Sequence, residues 1–424
     1  QFVSAGTGIA ALTALARGLA GRNAMGNFFV DVQRATFLIL LPLALVVAAA
    51  LIFNGVPMTF KGSAVANTLE GARQIIARGP VAAFVAIKQI GTNGGGFFGP
   101  NSTHPFENPT FWSNALEMSS ILAIPMACVW MFGRIVGRMR HAAVVFCVML
   151  ALLVVKVTAA AWFETAPTQA FSGMAIERDV GNLEGKELRF GTRTGSGAAW
   201  AVLTTSTSNG SVDAMHDSLN PMTGLMPMTG MWLNATFGGV GVGMINMFLY
   251  VVIGVFVAGM MVGRTPEYLG RRVEAHEVKL AVLALFTHGL FILGGTAIFA
   301  ATSWGVDTIS NTGPHGFSEM LYEFSSASAN NGSGFEGLAD DTAPWNLATG
   351  IIMLLGRFIP IILPLAIAGS LASKRPAAQS AGSLGVENAT FGAMLLATIL
   401  FIGALTFFPV AALGPVAEHL LYMP

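Results

Sequence analysis

The chain contains eight apolar segments, each long enough to cross a bilayer as a helix. Such a helix needs about 20 mostly apolar residues, so few other folds can use this pattern. The segments lie at 2–20, 36–54, 112–133, 142–163, 232–262, 280–303, 346–372 and 389–413. Hydrophobic residues make up 54% of the chain and charged residues 10%, whereas a soluble domain carries about 25% charged residues. The sequence therefore predicts an all-α polytopic membrane protein, whose long, glycine-rich fifth segment tilts, bends or breaks.

Lys and Arg residues cluster after every second segment. The clusters are Arg17, Arg22 and Arg34; Arg134, Arg138 and Arg140; Arg264, Arg271, Arg272 and Lys279; and Lys374 and Arg375. Because cytoplasmic loops of membrane proteins carry an excess of Lys and Arg, we place these clusters on the cytoplasmic side. The alternate connections at 55–111, 164–231 and 304–345 then lie outside, as does the C-terminus. The formal net charge is zero, so charge indicates no nucleic-acid partner.

Each outer connection contains a short apolar stretch followed by a glycine-rich turn. The stretches read GPVAAFVAIKQIGTNGGGFF, GSGAAWAVLTTSTSNGSVD and GPHGFSEMLYEFSSASANNGSGF. They carry Asn-Gly pairs at Asn93-Gly94, Asn209-Gly210 and Asn331-Gly332. A proline and a new span follow each pair. The repetition predicts a unit made of a span, a short re-entrant helix, a glycine turn and a second span.

The glycine turns are candidates for binding a cation. A helix that ends inside the membrane must line protein or water, and its C-terminal end carries partial negative charge. Glycine permits left-handed backbone angles, so successive carbonyls can point the same way and replace the water shell of a potassium ion. One such turn alone is more often just a turn, and a phosphate cradle would need a Gly-Lys-Ser/Thr ending or a preceding strand. Three matched copies favour ion coordination.

Several motifs together resemble one family of transport proteins. GTNGGGFF, HPFENP, AMHDS, EGKELRFG, GRTPEYLG and GPHGFSE are similar to segments of KdpA, the potassium-binding subunit of Kdp-type potassium-transporting ATPases. The resemblance implies the pseudo-fourfold fold of the potassium transporter superfamily, built from span–pore helix–filter–span repeats. It also implies a potassium-selective binding and translocation subunit without catalysis of its own, in a bacterial or archaeal plasma membrane.

The resemblance further implies partners. The P-type ATPase subunit KdpB would hydrolyse ATP and receive the ions, and the small subunits KdpC and KdpF would complete the complex in the lipid bilayer. The sequence contains neither an Asp-Lys-Thr-Gly phosphorylation motif nor a nucleotide-binding loop. We therefore expect potassium, as the transported ion, and no nucleotide or nucleic acid on this chain.

By resemblance, three filter segments lie in the three turns. Their residues are Thr92, Asn93, Gly94 and Gly95; Ser208, Asn209 and Gly210; and Asn330, Asn331, Gly332 and Ser333. We predict the inner span of an incomplete first repeat at 1–35, a second repeat at 36–140, a third at 141–278, a fourth at 279–375, and a cytoplasmic loop with a C-terminal span at 376–424. The family has four filter segments, so we expect this chain to be a fragment of a longer protein. A three-repeat protein that oligomerises is the alternative.

Three basic residues lie in or beside predicted spans. Arg357 is near the middle of an apolar run, where a charge costs about 2.5–3.5 kcal/mol on insertion scales. By resemblance it lies just beneath the filter and repels ions from a straight exit to the cytoplasm. Arg264 could guard the same exit, although a charge at the cytoplasmic interface is the simpler explanation. We expect Lys156 to extend its ammonium to the membrane surface.

Two other functions stay open at this stage. A free-standing potassium channel or an ion-coupled symporter of the same superfamily would share the filter and need no ATPase. A membrane enzyme acting on a phosphorylated lipid would need clustered charges at the outer turns, and Gly94 to Gly96 have none. His104, His216 and His315 lie near the turns without paired metal spacing, and we interpret them as hydrogen-bonding loop residues.

Overall fold

The structure is a computed structural model that describes residues 1–22, 24–165, 196–375 and 385–422. Within these ranges eight helices are long and apolar enough to span a membrane, the number predicted from the sequence. They run over Phe2–Leu19, Phe28–Phe53, Phe111–Val136, Met139–Thr165, Val242–Val262, Ala275–Ala300, Ala343–Ser373 and Ala389–Leu421. The fold is therefore that of a polytopic helical membrane protein.

The helices carry the following labels in chain order. They are α1 (Phe2–Leu19), α2 (Phe28–Ala35), α3 (Leu41–Phe53), α4 (Val81–Ile90), α5 (Phe111–Val136), α6 (Met139–Thr165), α7 (Ser196–Ser206), α8 (Pro221–Leu233), α9 (Val242–Val262), α10 (Ala275–Ala300), α11 (Ser303–Val306), α12 (Pro314–Ala329), α13 (Ala343–Ser373), α14 (Ala389–Ala411) and α15 (Ala417–Tyr422). The π-helical turns Thr36–Leu40 and Ala412–Val416 continue α2 into α3 and α14 into α15. Such single π turns are insertions within otherwise α-helical segments.

Three times the chain follows the predicted order of span, short helix, turn and span. The short helices are α4, α7 and α12, and each ends just before an Asn-Gly pair. The repeat boundaries predicted at 140/141 and 278/279 fall in the first turn of α6 and of α10. The order of elements is thus present, while the division into domains stays a prediction.

The fifth span differs from the prediction of one segment at 232–262. Helix α8 begins at Pro221, where proline suits the first helical turn, and ends at Leu233. The chain then breaks, because Asn234, Phe237 and Gly238 all adopt positive φ angles, of 43°, 61° and 57°. Helix α9 starts only at Val242, so the segment is broken, which is one of the three expected outcomes, and the span is shorter.

The break at 234–241 packs tightly against α1. A Cβ atom added to Gly8 would lie 2.0 Å from the carbonyl oxygen of Val240, and one added to Gly241 would lie 2.2 Å from the carbonyl oxygen of Gly8. Small residues let the backbones of membrane helices approach this closely. The first span therefore fixes the position of the break.

Two small antiparallel sheets, which the sequence analysis did not predict, lie in the connections. Strands β1 (Ala64–Asn67) and β2 (Arg73–Ile76) form a hairpin between α3 and α4. Strands β3 (Glu267–Tyr268) and β4 (Arg271–Arg272) join α9 to α10. Neither sheet changes the helical character of the fold.

The contact between α1 and the break gives a stability prediction. Gly8→Ala should lower the thermal unfolding midpoint in detergent, because overpacking of this kind costs about 1–3 kcal/mol. Gly369→Ala is the matched control, since that helical glycine has no atom within 4 Å of a Cβ. It should keep or slightly raise the midpoint, as alanine is a better helix former than glycine by up to about 1 kcal/mol. Equal midpoints for the two variants would contradict the close packing.

Candidate functional site

The three Asn-Gly turns share one backbone conformation. We name them by predicted repeat: the second turn (92–95), the third turn (208–210) and the fourth turn (330–333). Each opens on a residue other than glycine in the left-handed region: Thr92 at φ 46°, Ser208 at 50° and Asn330 at 54°. Such angles cost roughly 1–2 kcal/mol in an L-residue. Each then reaches a glycine with positive φ, namely Gly94, Gly210 or Gly332.

The same hydrogen bond caps all three short helices. The amide of each asparagine donates to a carbonyl oxygen five residues earlier. These bonds are Asn93 to Lys88 at 2.9 Å, Asn209 to Thr204 at 2.8 Å, and Asn331 to Ser326 at 2.9 Å. This is the long-range bond of a Schellman ending, which satisfies a carbonyl at the helix C-terminus. The three turns are therefore structural repeats as well as sequence repeats.

The amides that follow the asparagines in the third and fourth turns are also engaged. The amide of Gly210 donates to Thr204 Oγ1 at 3.0 Å, and that of Gly332 donates to Ser326 Oγ at 2.9 Å. One residue later, the amide of Ser211 donates to Asn209 Oδ1 at 2.9 Å. Ser333 repeats this bond to Asn331 Oδ1 at 3.0 Å. Since these N–H groups are used within their own repeat, carbonyl oxygens are the groups that the turns can offer to a ligand.

The turns touch one another in repeat order. A Cβ on Gly94 would lie 2.1 Å from the carbonyl oxygen of Asn209, and a Cβ on Gly210 would lie 2.1 Å from that of Asn331. The Nδ2 atom of Asn331 donates to Thr204 O at 2.9 Å, and the side chain of Asn209 reaches Lys88 O at 3.4 Å in the same way. Residues far apart in sequence thus meet at one site.

The three turns form an arc and not a closed ring. At Gly332, the position equivalent to Gly94 and Gly210, the nearest atom to an added Cβ is the Cα of Gly210, 3.9 Å away. Among the described residues no carbonyl oxygen approaches this position as Asn209 and Asn331 approach the other two glycines. The fourth turn therefore has one open side.

The turns separate two cavities. The Arg357 cavity, of about 140 Å³, touches the first residues of the turns. Its polar lining includes Thr92, Asn93, Ser208, Asn234, Asn246, Asn330 and Arg357. The Glu336 cavity, of about 410 Å³, touches Gly210, Gly332 and Ser333 together with Glu336. Later residues of the third and fourth turns thus line the Glu336 cavity, and the first residues of the turns line the Arg357 cavity. A path from the Glu336 cavity to the Arg357 cavity would pass them in that order.

Of the two predicted gate residues, Arg357 lines one of these two cavities and Arg264 lines neither. The Nε of Arg357 donates to Asn330 Oδ1 at 2.9 Å. This contact places the guanidinium directly beside the fourth turn. Arg264, after α9, is exposed and is not among the residues lining the Arg357 cavity. Its role at the exit stays a prediction.

The side chains of Thr92 and Ser208 hold the break between α8 and α9. The amide of Val240 donates to Thr92 Oγ1 at 3.2 Å, and Ser208 Oγ donates to Asn234 Oδ1 at 3.1 Å. The break thus braces the second and third turns from the side of the Arg357 cavity. This bracing explains why the fifth span is interrupted at this depth.

A buried charge network behind the second turn was missed in the sequence. Lys88 is 1% exposed, and its ammonium donates to Glu107 at 2.5 Å and to Ser102 at 2.8 Å. The next residue, Gln89, donates to Glu117 at 2.8 Å. A lysine inside a short apolar helix, followed by the glutamate of HPFENP, was the available signal.

The expectation for Lys156 was wrong. The side chain does not extend to the membrane surface, because only 5% of the residue is exposed. Its ammonium donates to Ser206 Oγ, at the end of α7, at 2.7 Å. Lys156 therefore belongs to the surroundings of the third turn.

His315 makes the hydrogen bonds expected of a loop histidine, and they are ionic. It lies in the first turn of α12, where Nε2 is 2.9 Å from Asp217 Oδ1 and Nδ1 is 2.7 Å from Glu418 Oε1. Burial lowers the pKa of His315, but the bonds to the two carboxylates outweigh it and raise the pKa to about 10. Asp217, His315 and Glu319 lie within metal-binding distance of one another. The ion pairs of an imidazolium account for this grouping.

Known proteins resemble the chain over nearly its whole length. The model of the family described as potassium-transporting ATPase A subunit, KdpA, matches residues 1–420. A protein of Pseudomonas entomophila named potassium-transporting ATPase potassium-binding subunit is 51% identical over 425 residues, which is 99% of this chain and 74% of that protein. Proteins of the same name from Geobacillus kaustophilus and Rhodospirillum centenum are each 48% identical, over 99% of this chain and 75% and 74% of their own lengths.

The His315 cluster predicts how stability depends on pH. The raised pKa means that its contribution is complete below about pH 6.5, the ordinary histidine value. It is then lost as the pH rises through about 10. His315→Gln should lower the unfolding midpoint most at pH 6, and the gap to the unmodified protein should close toward pH 10.

His104→Gln is the control with the opposite sign. Burial lowers the pKa of His104, against the opposing field of Glu107. Any contribution of His104 therefore shrinks as the pH falls. A gap for His315→Gln that stays constant from pH 6 to pH 10 would rule out the ionic cluster.

Proposed function

The chain belongs to the KdpA family of potassium-transporting ATPase A subunits, and we propose that it binds potassium selectively at the three turns and passes it on within an ATP-driven uptake complex. The names of its relatives favour this function over that of a free-standing channel or symporter. The subunit itself does no bond chemistry. Hydrolysis of ATP belongs to a P-type ATPase partner, KdpB, in a complex with KdpC and KdpF.

One observation carries the proposal: the turns meet, and in the third and fourth turns the amides that follow the asparagines donate within their own repeat. A potassium ion needs oxygen ligands to replace its water shell, and backbone carbonyls supply them in potassium filters. Thr92–Gly95, Ser208–Gly210 and Asn330–Ser333 are the segments that provide them here. Because the arc is open beside Gly332, the ion also takes oxygen ligands from outside these three turns.

The two cavities suggest the direction of transport. Glu336 lines the wider cavity, where burial raises the pKa of its carboxyl to about 7. Its ionised form, which dominates above that pH, raises the local concentration of cations. Arg357 lines the smaller cavity, on the other side of the turns, and its fixed positive charge opposes a cation that continues straight on. Ions therefore leave the Arg357 cavity sideways, toward the ATPase partner. In the plasma membrane of a bacterium or archaeon, the wider cavity and the C-terminus face outward.

Gly210→Ala tests the binding site. The added Cβ would meet the carbonyl oxygen of Asn331 at 2.1 Å, and overpacking of about 1–3 kcal/mol corresponds to a loss of about fivefold or more in apparent potassium affinity. The measurement is potassium-stimulated ATPase activity of the assembled complex in proteoliposomes.

Gly71→Ala is the matched control for backbone strain. Gly71 also has a positive φ, of 84°, but nothing lies within 4 Å of its Cβ position in the β1–β2 hairpin. It should keep the affinity of the unmodified complex. If Gly210→Ala retained full potassium affinity in a folded complex, the turns would not be the binding site.

Arg357→Gln tests the barrier. Without the positive charge, potassium can pass the cavity directly, so the number of ions moved per ATP should fall and a leak should appear without ATP. Arg357→Lys keeps the charge but loses the planar Nε donor to Asn330, and it should remain coupled. The number of ions moved per ATP is obtained for each variant from isotope uptake and phosphate release in the same vesicles. If ATP hydrolysis and potassium transport stayed tightly coupled in Arg357→Gln, Arg357 would not be the barrier.

A further inference from the structure

Two basic side chains inside spans occupy equivalent places behind two of the turns. Lys156 lies in α6, the first span of the third repeat, and its ammonium donates to Ser206 Oγ at 2.7 Å. His288 lies in α10, the first span of the fourth repeat, and its Nδ1 is 2.8 Å from Ser328 Oγ. Neither contact is needed for the ion path proposed above.

The two serines are equivalent positions of the repeat. Ser206 precedes Ser208 by two residues, and Ser328 precedes Asn330 by two residues. Each serine therefore lies in the last turn of its short helix, two residues before a residue with left-handed backbone. The same lateral contact has arisen in both repeats, once with lysine and once with histidine.

Lys156 is costly to keep in this position. In the described part of the chain its ammonium has one hydrogen bond, to Ser206, and no carboxylate partner. Burying a charge within a membrane span costs free energy, so such a residue marks a functional position. The group that it contacts is then the first candidate for the part of the protein on which it acts. The C-terminal end of α7, which carries partial negative charge, is the group that compensates the ammonium.

His288 has a second anchor that fixes its orientation. Its Nε2 lies 3.1 Å from the carbonyl oxygen of Met231 in α8. A carbonyl only accepts hydrogen bonds, so Nε2 carries a proton and donates it. The ring therefore connects α8 to the end of α12 through one rigid side chain.

The second repeat lacks this contact. Its equivalent position is Ile90, which is apolar and 3% exposed. The first span of this repeat has no charged residue between Phe37 and Phe53. Polar support from the preceding span is thus specific to the third and fourth turns, and the Lys88–Glu107 pair supports the second turn instead.

We propose that Lys156 and His288 are positioning residues that set the places of the Ser208 and Asn330 carbonyls and thereby the preference of the site for potassium over other monovalent cations. Both Ser208 and Asn330 line the Arg357 cavity, so the two contacts act where the ion leaves the turns. Loss of either contact lets the end of its short helix shift. The inference rests on the proposed function, because it assumes that the turns bind the ion.

A double-mutant cycle on Lys156 and Ser206 tests the contact. Lys156→Met removes the charge and the donor at similar length, and Ser206→Ala removes the acceptor and leaves a buried ammonium alone. Ser206→Ala should impair the complex most, and adding Lys156→Met should restore part of the loss. Coupling energies between contacting residues correspond to about twofold or more in affinity.

The readout is the ratio of apparent potassium to rubidium affinities of the reconstituted complex. Lys156→Met and His288→Leu should each change the ratio by about threefold or more, as expected for a loss of about 0.7 kcal/mol. Val155→Met and Thr287→Ala are controls at neighbouring positions, where Val155 is exposed and Thr287 is half-buried with its hydroxyl bonded to the carbonyl of Leu283. Both should leave the ratio unchanged. Size-exclusion profiles restrict the comparison to folded complexes.

The outcomes separate this inference from the proposed function. An unchanged ratio in folded Lys156→Met and His288→Leu, or an additive cycle, overturns the positioning role. If Lys156→Met does not assemble, His288→Leu and Ser328→Ala decide the question in the fourth repeat. A loss of potassium affinity in Gly210→Ala with no effect of the Lys156 and His288 variants would refute only this inference. Full affinity in Gly210→Ala would refute the binding site itself.

Discussion

The structure depends on satisfying the backbone of three helices that end inside the protein. In a bilayer an unpaired amide or carbonyl costs several kcal/mol, so a helix can stop there only where protein or water provides partners. Helices α4, α7 and α12 end in the same way. The amide of the turn asparagine donates to the carbonyl oxygen five residues earlier, and the residue just before that asparagine has a left-handed backbone. With these amides satisfied internally, the carbonyl oxygens of the turns are the groups left to contact a ligand. The same constraint that ends the helices therefore shapes the proposed binding site.

Positively charged residues lie on different sides of the three turns, and their places suit different roles. Arg357 lines the smaller cavity beside the turns, where the proposed function uses it as a barrier to a cation. Lys156 and Lys88 lie behind the turns and are held by Ser206 and Glu107. In the proposed function the charge in the cavity acts on the ion, and we propose that the charges behind the turns act on the shape of the site.

Much of this arrangement was predictable from the chain. The number of spans followed from apolar length, and the three turns followed from Asn-Gly pairs in matched connections. The break at 234–241 was expected only in general terms, because its position depends on Gly8 of a distant helix. Lys156 was misinterpreted, since the rule for lysines in spans assumes a free route to the surface. Its partner Ser206 is 50 positions away, and no local pattern connects them.

The sequence by itself determined which segments enter the membrane and which residues adopt the three turns, because both depend on local properties: apolar length and the conformational freedom of glycine. Only the tertiary structure decided that Gly94 meets Asn209, that Gly210 meets Asn331, and that Arg357 reaches Asn330. These contacts join parts of the chain separated by whole spans. Their geometry follows from how the helices pack, to which every helix contributes, and no single segment encodes it.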